Sequence, residues 1–201
     1  MPLTLCYSPT SPYVRKVMVA AHEAGLADRL TLRTTQPWLP DAAFEAANPI
    51  GKVPALLRED GPALTDSRVI TEYFDSLADA GFFPAAGEAR WRNLRQLSLG
   101  DGILDASVGT VTERRRDKAQ QWDAWFTRQR AKVDRILDAL EAEADGLGDA
   151  VTAGGIAVGV ALSYTEFRKV APDWRQGRPG LTAWFARFDL RPSMQATVPR
   201  E

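Results

Sequence analysis

The sequence predicts an α/β domain over residues 1–78 followed by an all-α domain over residues 88–201. In the first part, apolar runs of strand length alternate with segments whose apolar residues have helical spacing. Beyond residue 88, apolar residues recur at intervals of three and four, and strand patterns are almost absent. Residues 79–87, rich in glycine and alanine, separate the two parts and predict a linker.

The first predicted elements are a strand and a helix joined by a short turn. Residues 3–7 form an apolar run of strand length, and residues 8–10 break it. Ser11 is a good N-cap, and Pro12 suits the first helical position because its missing N–H is not needed there. Apolar residues then follow at helical spacing before a glycine that stops the helix: Val14, Val17, Met18, Ala21 and Gly25. This pattern places a hydroxyl at the positive end of a helix, where backbone N–H groups can hold an anion.

A second pattern predicts a β-hairpin and another helix. Residues 48–57 contain two prolines and a glycine and end in an apolar run of strand character. An Asp-Gly pair then gives a turn signal before a returning strand at residues 62–65. Asp66 and Ser67 can cap the next helix. Its predicted apolar face comprises Val69, Ile70, Tyr73, Phe74 and Leu77.

The pattern in the second part of the chain predicts four helices. They cover residues 91–111, 122–140, 156–170 and 181–188. Gly146 and Gly148 end the second of these helices. The longest apolar stretch, residues 156–162, is far shorter than the roughly 20 residues that a membrane-spanning helix needs.

The composition narrows the possible functions. The net charge is −1, which gives no electrostatic reason to expect nucleic acid or a membrane surface as a partner. One cysteine cannot form an intrachain disulfide, and one histidine with one cysteine cannot build the usual structural zinc sites, so we expect no metal. No secretory signal pattern is evident, and we expect a cytoplasmic protein. A hydrolase pair of Ser11 and His22 is disfavoured because the two lie about 16 Å apart along one predicted helix.

Three motifs carry a resemblance to a known family. Residues 11–14, Ser-Pro-Tyr-Val, resemble the Cys-Pro-Tyr-Cys redox turn of glutaredoxins with both thiols replaced. The order of elements resembles a thioredoxin-like domain, in which Val53-Pro54 is expected to be a cis peptide facing the first helix. Together with residues 48–54 and 64–67, these features resemble the cytosolic glutathione S-transferase family, specifically its serine-type bacterial members. The resemblance spans nearly the whole chain and implies an N-terminal thioredoxin-like domain followed by a C-terminal helical domain.

The resemblance implies an enzyme that uses glutathione as co-substrate. It assigns Ser11 as the catalytic residue whose hydroxyl donates to the glutathione thiolate. It places the γ-glutamyl group at Asp66 and Ser67, and the cysteinyl part against the backbone of Val53, with Pro54 shaping that edge. The activity implied is conjugation of glutathione to small hydrophobic electrophiles, or peroxide reduction, in detoxification. A homodimer is implied as well.

Several of these positions have a second interpretation. Ser11 could be a plain N-cap, and Cys6 is expected to be a core residue. Lys52 could approach the glycyl carboxylate of glutathione or be an exposed loop lysine, and Trp38 could wall the site or simply pack. Serine-type relatives often have a basic residue near position 38, which this chain lacks. The alternative function is therefore a catalytically silent protein of the same fold that serves as a binding or interaction module.

Overall fold

The computed structural model describes residues 3–200 of the chain. The chain divides into two compact units. One consists of the described parts of Met1–Phe83 and Pro192–Glu201, and the other of Pro84–Arg191. Residues 1, 2 and 201, which the sequence-based domain ranges include, lie outside the described residues.

A four-stranded mixed sheet forms the centre of the first unit. Its strand order is β2-β1-β3-β4, with β1 parallel to β2 and antiparallel to β3, and β3 antiparallel to β4. The strands are β1 Leu3–Tyr7, β2 Leu30–Thr34, β3 Ala55–Arg58 and β4 Gly61–Leu64. Leu5 of β1 pairs with Leu32 of β2 on one side and with Leu56 of β3 on the other. Because β1 is internal, its apolar side chains form part of the buried core.

Three helices belong to this part of the chain: α1 Pro12–Glu23, α2 Ala42–Ala47 and α3 Ser67–Ala78. The predicted caps are confirmed, since Ser11 is the N-cap of α1 and Asp66 is the N-cap of α3. The predicted apolar face of α3 is only partly correct. Ile70 and Phe74 are fully buried, whereas Val69 and Leu77 are 45% and 42% exposed.

The second unit contains four helices: α4 Gly87–Arg114, α5 Asp123–Ala142, α6 Ala153–Phe167 and α7 Pro179–Asp189. Each overlaps a helix predicted from the apolar spacing, so the all-α prediction for this part is confirmed. Residues 153–162 of α6 are all buried, which is typical of a helix that is apolar on every side. No helix within residues 3–200 is both long enough and apolar enough to cross a bilayer.

A short last helix, α8 Pro192–Ala196, packs against α1 of the first unit. The buried Arg15 guanidinium donates from Nη2 to the carbonyl oxygen of Met194 at 3.1 Å and from Nε to Thr197 Oγ1 at 3.4 Å. Ser193 Oγ donates to Glu23 Oε1 at 2.5 Å. These contacts correct the sequence-based boundary, which assigned residues 192–201 to the helical domain. The reason is that α1 carries polar side chains whose partners lie in this last segment.

Candidate functional site

The N-terminus of α1 presents a hydroxyl beside a helix end. Ser11 has extended backbone angles, φ −78° and ψ 121°, and its Oγ accepts from the Val14 N–H at 3.3 Å. Pro12 occupies the first helical turn, as predicted. Since Oγ uses a lone pair for the cap, the half-buried hydroxyl retains its own proton for donation to a ligand.

The loop before β3 is organised by a buried asparagine. Asn48 is fully buried, its Nδ2 donates to the Lys52 carbonyl oxygen at 2.7 Å, and its Oδ1 accepts from the Ile50 N–H at 3.1 Å. The Val53–Pro54 peptide that follows is cis, as the resemblance to a thioredoxin-like domain implied. Val53 and Pro54 are both buried. A single side chain therefore holds the turn that leads into this peptide.

The N-terminus of α3 is the second helix end of the site. The Asp66 carboxylate accepts from the Arg68 N–H at 2.9 Å, which is an N-cap contact. Ser67, the first helical residue, is only 2% exposed. Its carbonyl oxygen accepts from Thr71 Oγ1 at 2.8 Å within the helix. The Thr65–Asp66 peptide that precedes the cap is cis.

One side-chain contact connects α1 to the N-terminus of α3. Lys16 of α1 donates from Nζ to Ser67 Oγ at 3.2 Å, and Lys16 is 1% exposed. Lys16 follows Ser11 by five residues, which is about 7.5 Å along the helix axis. The predicted site residue Ser67 is thus bonded to the helix that Ser11 caps, through a lysine that was given no role from the sequence. The charged end of a helical lysine is ordinarily solvated. The sequence therefore gave no sign that Lys16 is buried, because its partner Ser67 lies 51 residues away.

Two predicted site residues lie at the protein surface. Trp38 is 70% exposed, in the segment between β2 and α2, and Lys52 is exposed. Leu39 N–H donates to the Gln36 carbonyl oxygen at 3.0 Å, which closes a turn around Trp38. Their assignment to the glycyl end of a ligand therefore stays a prediction.

Cys6, the single cysteine of the chain, is a buried core residue and not one of the predicted site residues. Cys6 is fully buried in β1, which confirms that it is a core residue. Burial raises the pKa of the Cys6 thiol, and the Thr35 hydrogen bond and the nearby Arg33 charge oppose that shift. Among residues 3–200, no group of three or more His, Cys, Asp or Glu side chains is arranged to hold a metal ion. The described site contains two helix N-termini that carry serine hydroxyl groups, and such groups bind anions.

Comparison with known families identifies close relatives of both parts of the chain. Residues 10–77 match the family described as "Glutathione S-transferase, N-terminal domain", and residues 123–187 match "Glutathione S-transferase, C-terminal domain". The "Uncharacterized GST-like protein YibF" of Escherichia coli (strain K12) is 35% identical over 201 residues, which covers 98% of each chain.

Solved structures agree with this match. A glutathione transferase family member from Pseudomonas fluorescens Pf-5, crystallised with bound glutathione, is 44% identical and superposes with a TM-score of 0.94. The alignment covers 99% of this chain and 100% of that one. A glutathione S-transferase from Methylobacillus flagellatus KT, also with glutathione bound, is 34% identical with a TM-score of 0.89. There the alignment covers 98% of this chain and 100% of the other.

Proposed function

Because the chain belongs to the glutathione S-transferase family, we propose that it binds glutathione as co-substrate and activates the glutathione thiol as a thiolate. The observation that carries the proposal is Ser11, whose hydroxyl caps α1 and keeps a proton for donation. In this role Ser11 is a hydrogen-bond donor to sulfur and not a nucleophile. The glutathione bound in related structures supports the choice of ligand.

The helix dipole of α1 is too weak to stabilise the glutathione thiolate by itself. Lowering a thiol pKa from about 8.5 by about two units takes roughly 2.7 kcal/mol of preferential thiolate stabilisation. A helix N-terminus typically contributes about 0.3–1 kcal/mol, and about 2 kcal/mol in sheltered positions. A hydrogen bond to a charged group contributes about 1.5–3 kcal/mol. The Ser11 hydroxyl and the α1 N-terminus together therefore reach the required magnitude, whereas the dipole alone does not.

The γ-glutamyl group of glutathione is assigned to the N-terminus of α3. Its carboxylate would accept hydrogen bonds from the Ser67 hydroxyl and from first-turn N–H groups of α3. The Asp66 carboxylate is exposed beside this turn and would face the γ-glutamyl ammonium. The helix N-terminus would stabilise the γ-glutamyl carboxylate, and the Asp66 carboxylate would stabilise the ammonium.

The rest of the tripeptide would lie along residues 52–54. The Val53 backbone would pair with the cysteinyl part as a neighbouring strand does, and the cis Pro54 shapes that edge. Lys52 is exposed and long enough to approach the glycyl carboxylate, while Trp38 would flank it. The second substrate is a small hydrophobic electrophile or a peroxide, since both reactions need the same thiolate.

A homodimer is part of the proposal. Family membership supports it, and so do the apolar side chains that α3 leaves exposed, Val69 and Leu77. Light scattering on purified protein should give twice the 22.1 kDa chain mass. A mass equal to that of one chain would contradict the dimer.

A catalytically silent binding protein is the second candidate. The observation that favours it is the surface position of Trp38 and the polar Gln36 beside it, where serine-type relatives often carry a basic residue. Weak capture of the glycyl end would leave glutathione bound without precise placement of its sulfur. The two candidates differ in the ionisation of the bound thiol.

Calorimetry with glutathione, followed by ultraviolet titration of the bound thiol, tests the proposal. We expect saturable binding and a thiolate that forms about two pH units below the free thiol. Conjugation assays with an activated aryl chloride, an unsaturated ketone and an organic hydroperoxide would then identify the second substrate. Binding with an ordinary thiol titration would favour the silent protein. Absence of binding would reject the proposed enzyme and leave a silent interaction module.

A further inference from the structure

We propose that Lys16 is a positioning residue for the γ-glutamyl carboxylate of glutathione, acting through Ser67. This inference rests on the proposed function, because it concerns how the same ligand is recognised. It starts from the 3.2 Å contact between Lys16 Nζ and Ser67 Oγ, which joins α1 to α3. Both residues are almost entirely buried, at 1% and 2% exposure.

The direction of this hydrogen bond is set by chemistry. An ammonium group has three donors and no acceptor, so Ser67 Oγ must accept from Lys16. The hydroxyl of Ser67 has a single proton, and that proton is then directed away from Lys16. Lys16 therefore fixes Ser67 as a donor toward a ligand and prevents it from acting as the acceptor of a ligand N–H along the same line. A carboxylate, which only accepts, fits this arrangement.

Charge acts in the same direction as the hydrogen bond. The Lys16 ammonium lies one hydroxyl group away from the place where a carboxylate would contact Ser67. The N-terminus of the 12-residue helix α3 adds partial positive charge at the same point. Since both side chains are removed from water, solvent screens this field far less than it would at the surface. The site should therefore discriminate strongly for a negative group.

The contact also couples the two ends of the glutathione site. Ser11, the proposed donor to the sulfur, and Lys16 are five residues apart on α1. An ordered helix holds their separation constant. Fixing Ser67 from α1 therefore fixes the γ-glutamyl anchor relative to the thiolate donor, which is the placement that catalysis needs.

The test measures preference for the carboxylate and not binding alone. Glutathione is compared by calorimetry with an analogue that lacks the γ-glutamyl α-carboxylate and is otherwise identical. We expect Lys16→Met to reduce the preference for glutathione over this analogue by at least tenfold, and Lys16→Arg to retain it within about threefold. With a saturable acceptor substrate, Lys16→Met should raise the KM for glutathione, because it weakens recognition of the γ-glutamyl carboxylate in the ground state.

Lys118→Met is the matched control, because it removes the same charge from an exposed position in the second unit. It should leave the preference unchanged. An unchanged preference in a folded Lys16→Met protein would overturn the inference. A merely structural role would weaken both ligands equally and would leave their ratio intact, which would also overturn it.

A second measurement covers the case in which Lys16→Met does not fold. In the parent protein labelled with nitrogen-15 lysine, the Lys16 Nζ resonance should shift on adding glutathione and stay near its original position with the analogue. Identical responses to the two ligands would overturn the inference. Failure of the parent to bind glutathione at all would instead count against the proposed function, so the two failures are distinguishable.

Discussion

Ser11 combines two hydrogen-bonding roles in one hydroxyl group. Its oxygen accepts from the Val14 N–H and so contributes to the stability of α1. Its proton is the proposed donor to the glutathione sulfur. Because the two roles use different parts of the group, substitutions can separate them.

Ser11→Ala and Ser11→Gly should both lower turnover by tenfold or more, since each removes the donor, and a tenfold loss equals about 1.36 kcal/mol. Their stabilities should differ, because alanine at an N-cap costs about 1 kcal/mol and glycine only a few tenths. Steady-state kinetics and urea unfolding of both variants measure the two effects. Ser76→Ala, which removes an exposed hydroxyl on α3, is the control. Turnover equal to the parent in either Ser11 variant would remove Ser11 from the mechanism.

Cys6 gives a prediction about pH. Burial raises the pKa of its thiol in the folded chain above the ordinary value of about 8.5. As the pH rises through the ordinary value, the unfolded chain loses this proton first, so stability is fully present below that pH and declines above it. Urea unfolding from pH 7 to pH 10 should show a shallower decline in Cys6→Ala than in the parent. Parallel curves would contradict the assignment.

At the residue scale, the sequence indicated the side chains whose role depends on local chemistry. Ser11 and Asp66 stand directly before helical segments, and capping preferences identify such positions. Lys16 could not be identified in this way, because its partner Ser67 is distant in sequence. Asn48 is similar, since its role depends on a turn geometry that residue types alone do not determine.

Among the helices and strands, those with a repeated local apolar pattern were predicted and those without one were missed. The helices α1, α4, α5, α6 and α7 have periodic apolar residues over several turns, and the sequence predicted each of them. The sequence analysis did not identify β2, whose Leu32 is 46% exposed, because an edge strand has little buried alternation. It also missed α2 and α8, which have six and five residues and lack a full apolar repeat.

The start of α6 offers a test of capping at the scale of one element. Thr152 Oγ1 accepts from the Gly155 N–H at 3.0 Å, but glycine cannot return a bond to the Thr152 backbone. Gly155→Asp supplies that carboxylate and a better helix former, a gain of about 1 kcal/mol. We therefore expect the Tm to rise by about 2–4 °C.

The neighbouring glycine is the matched control for space. A Cβ at residue 155 would meet Thr152 Oγ1 at 3.4 Å, an ordinary contact, whereas a Cβ at residue 154 would lie 2.6 Å from the Asn93 carbonyl oxygen. Gly154→Ala should therefore lower the Tm, since overpacking costs about 1–3 kcal/mol. Differential scanning calorimetry measures both variants. An unchanged or lower Tm for Gly155→Asp would contradict the capping argument.

At the scale of the whole molecule, the course of the chain returns its last helix to the first unit. Residue 15 contacts the carbonyl of residue 194, a separation of 179 positions in sequence. Local patterns cannot reveal a contact of that range, which is why the sequence-based domain boundary differed from the structure. The buried guanidinium of Arg15 connects the two segments, together with the Ser193–Glu23 hydrogen bond.

Arg15→Met tests this connection, since it keeps an unbranched apolar side chain but removes the donors to Met194 and Thr197. Met194 is fully buried, and its carbonyl oxygen accepts from Arg15 Nη2 at 3.1 Å and from Thr197 Oγ1 at 3.4 Å. The variant removes the shorter of these bonds, and a hydrogen bond to a charged group contributes about 1.5–3 kcal/mol. Local opening of α8 should become more frequent by tenfold or more, since 1.36 kcal/mol equals one decade. Hydrogen exchange at the amides of residues 195–197 measures this opening.

The same experiment reports on both units at once. Amides of α6 should exchange at the parent rate in Arg15→Met, because α6 belongs to the other unit. Arg187 on α7 forms an exposed ion pair with Asp149. Arg187→Met removes this pair and should change neither region, since exposed pairs contribute about 0–1 kcal/mol. Parent-like exchange at residues 195–197 in Arg15→Met would show that the packing of Met194 and the Ser193–Glu23 hydrogen bond hold α8 without Arg15. Faster exchange at residues 195–197, with α6 unchanged, would show that the Arg15 contacts stabilise α8. The end of the chain would then depend for its stability on the unit that contains Ser11.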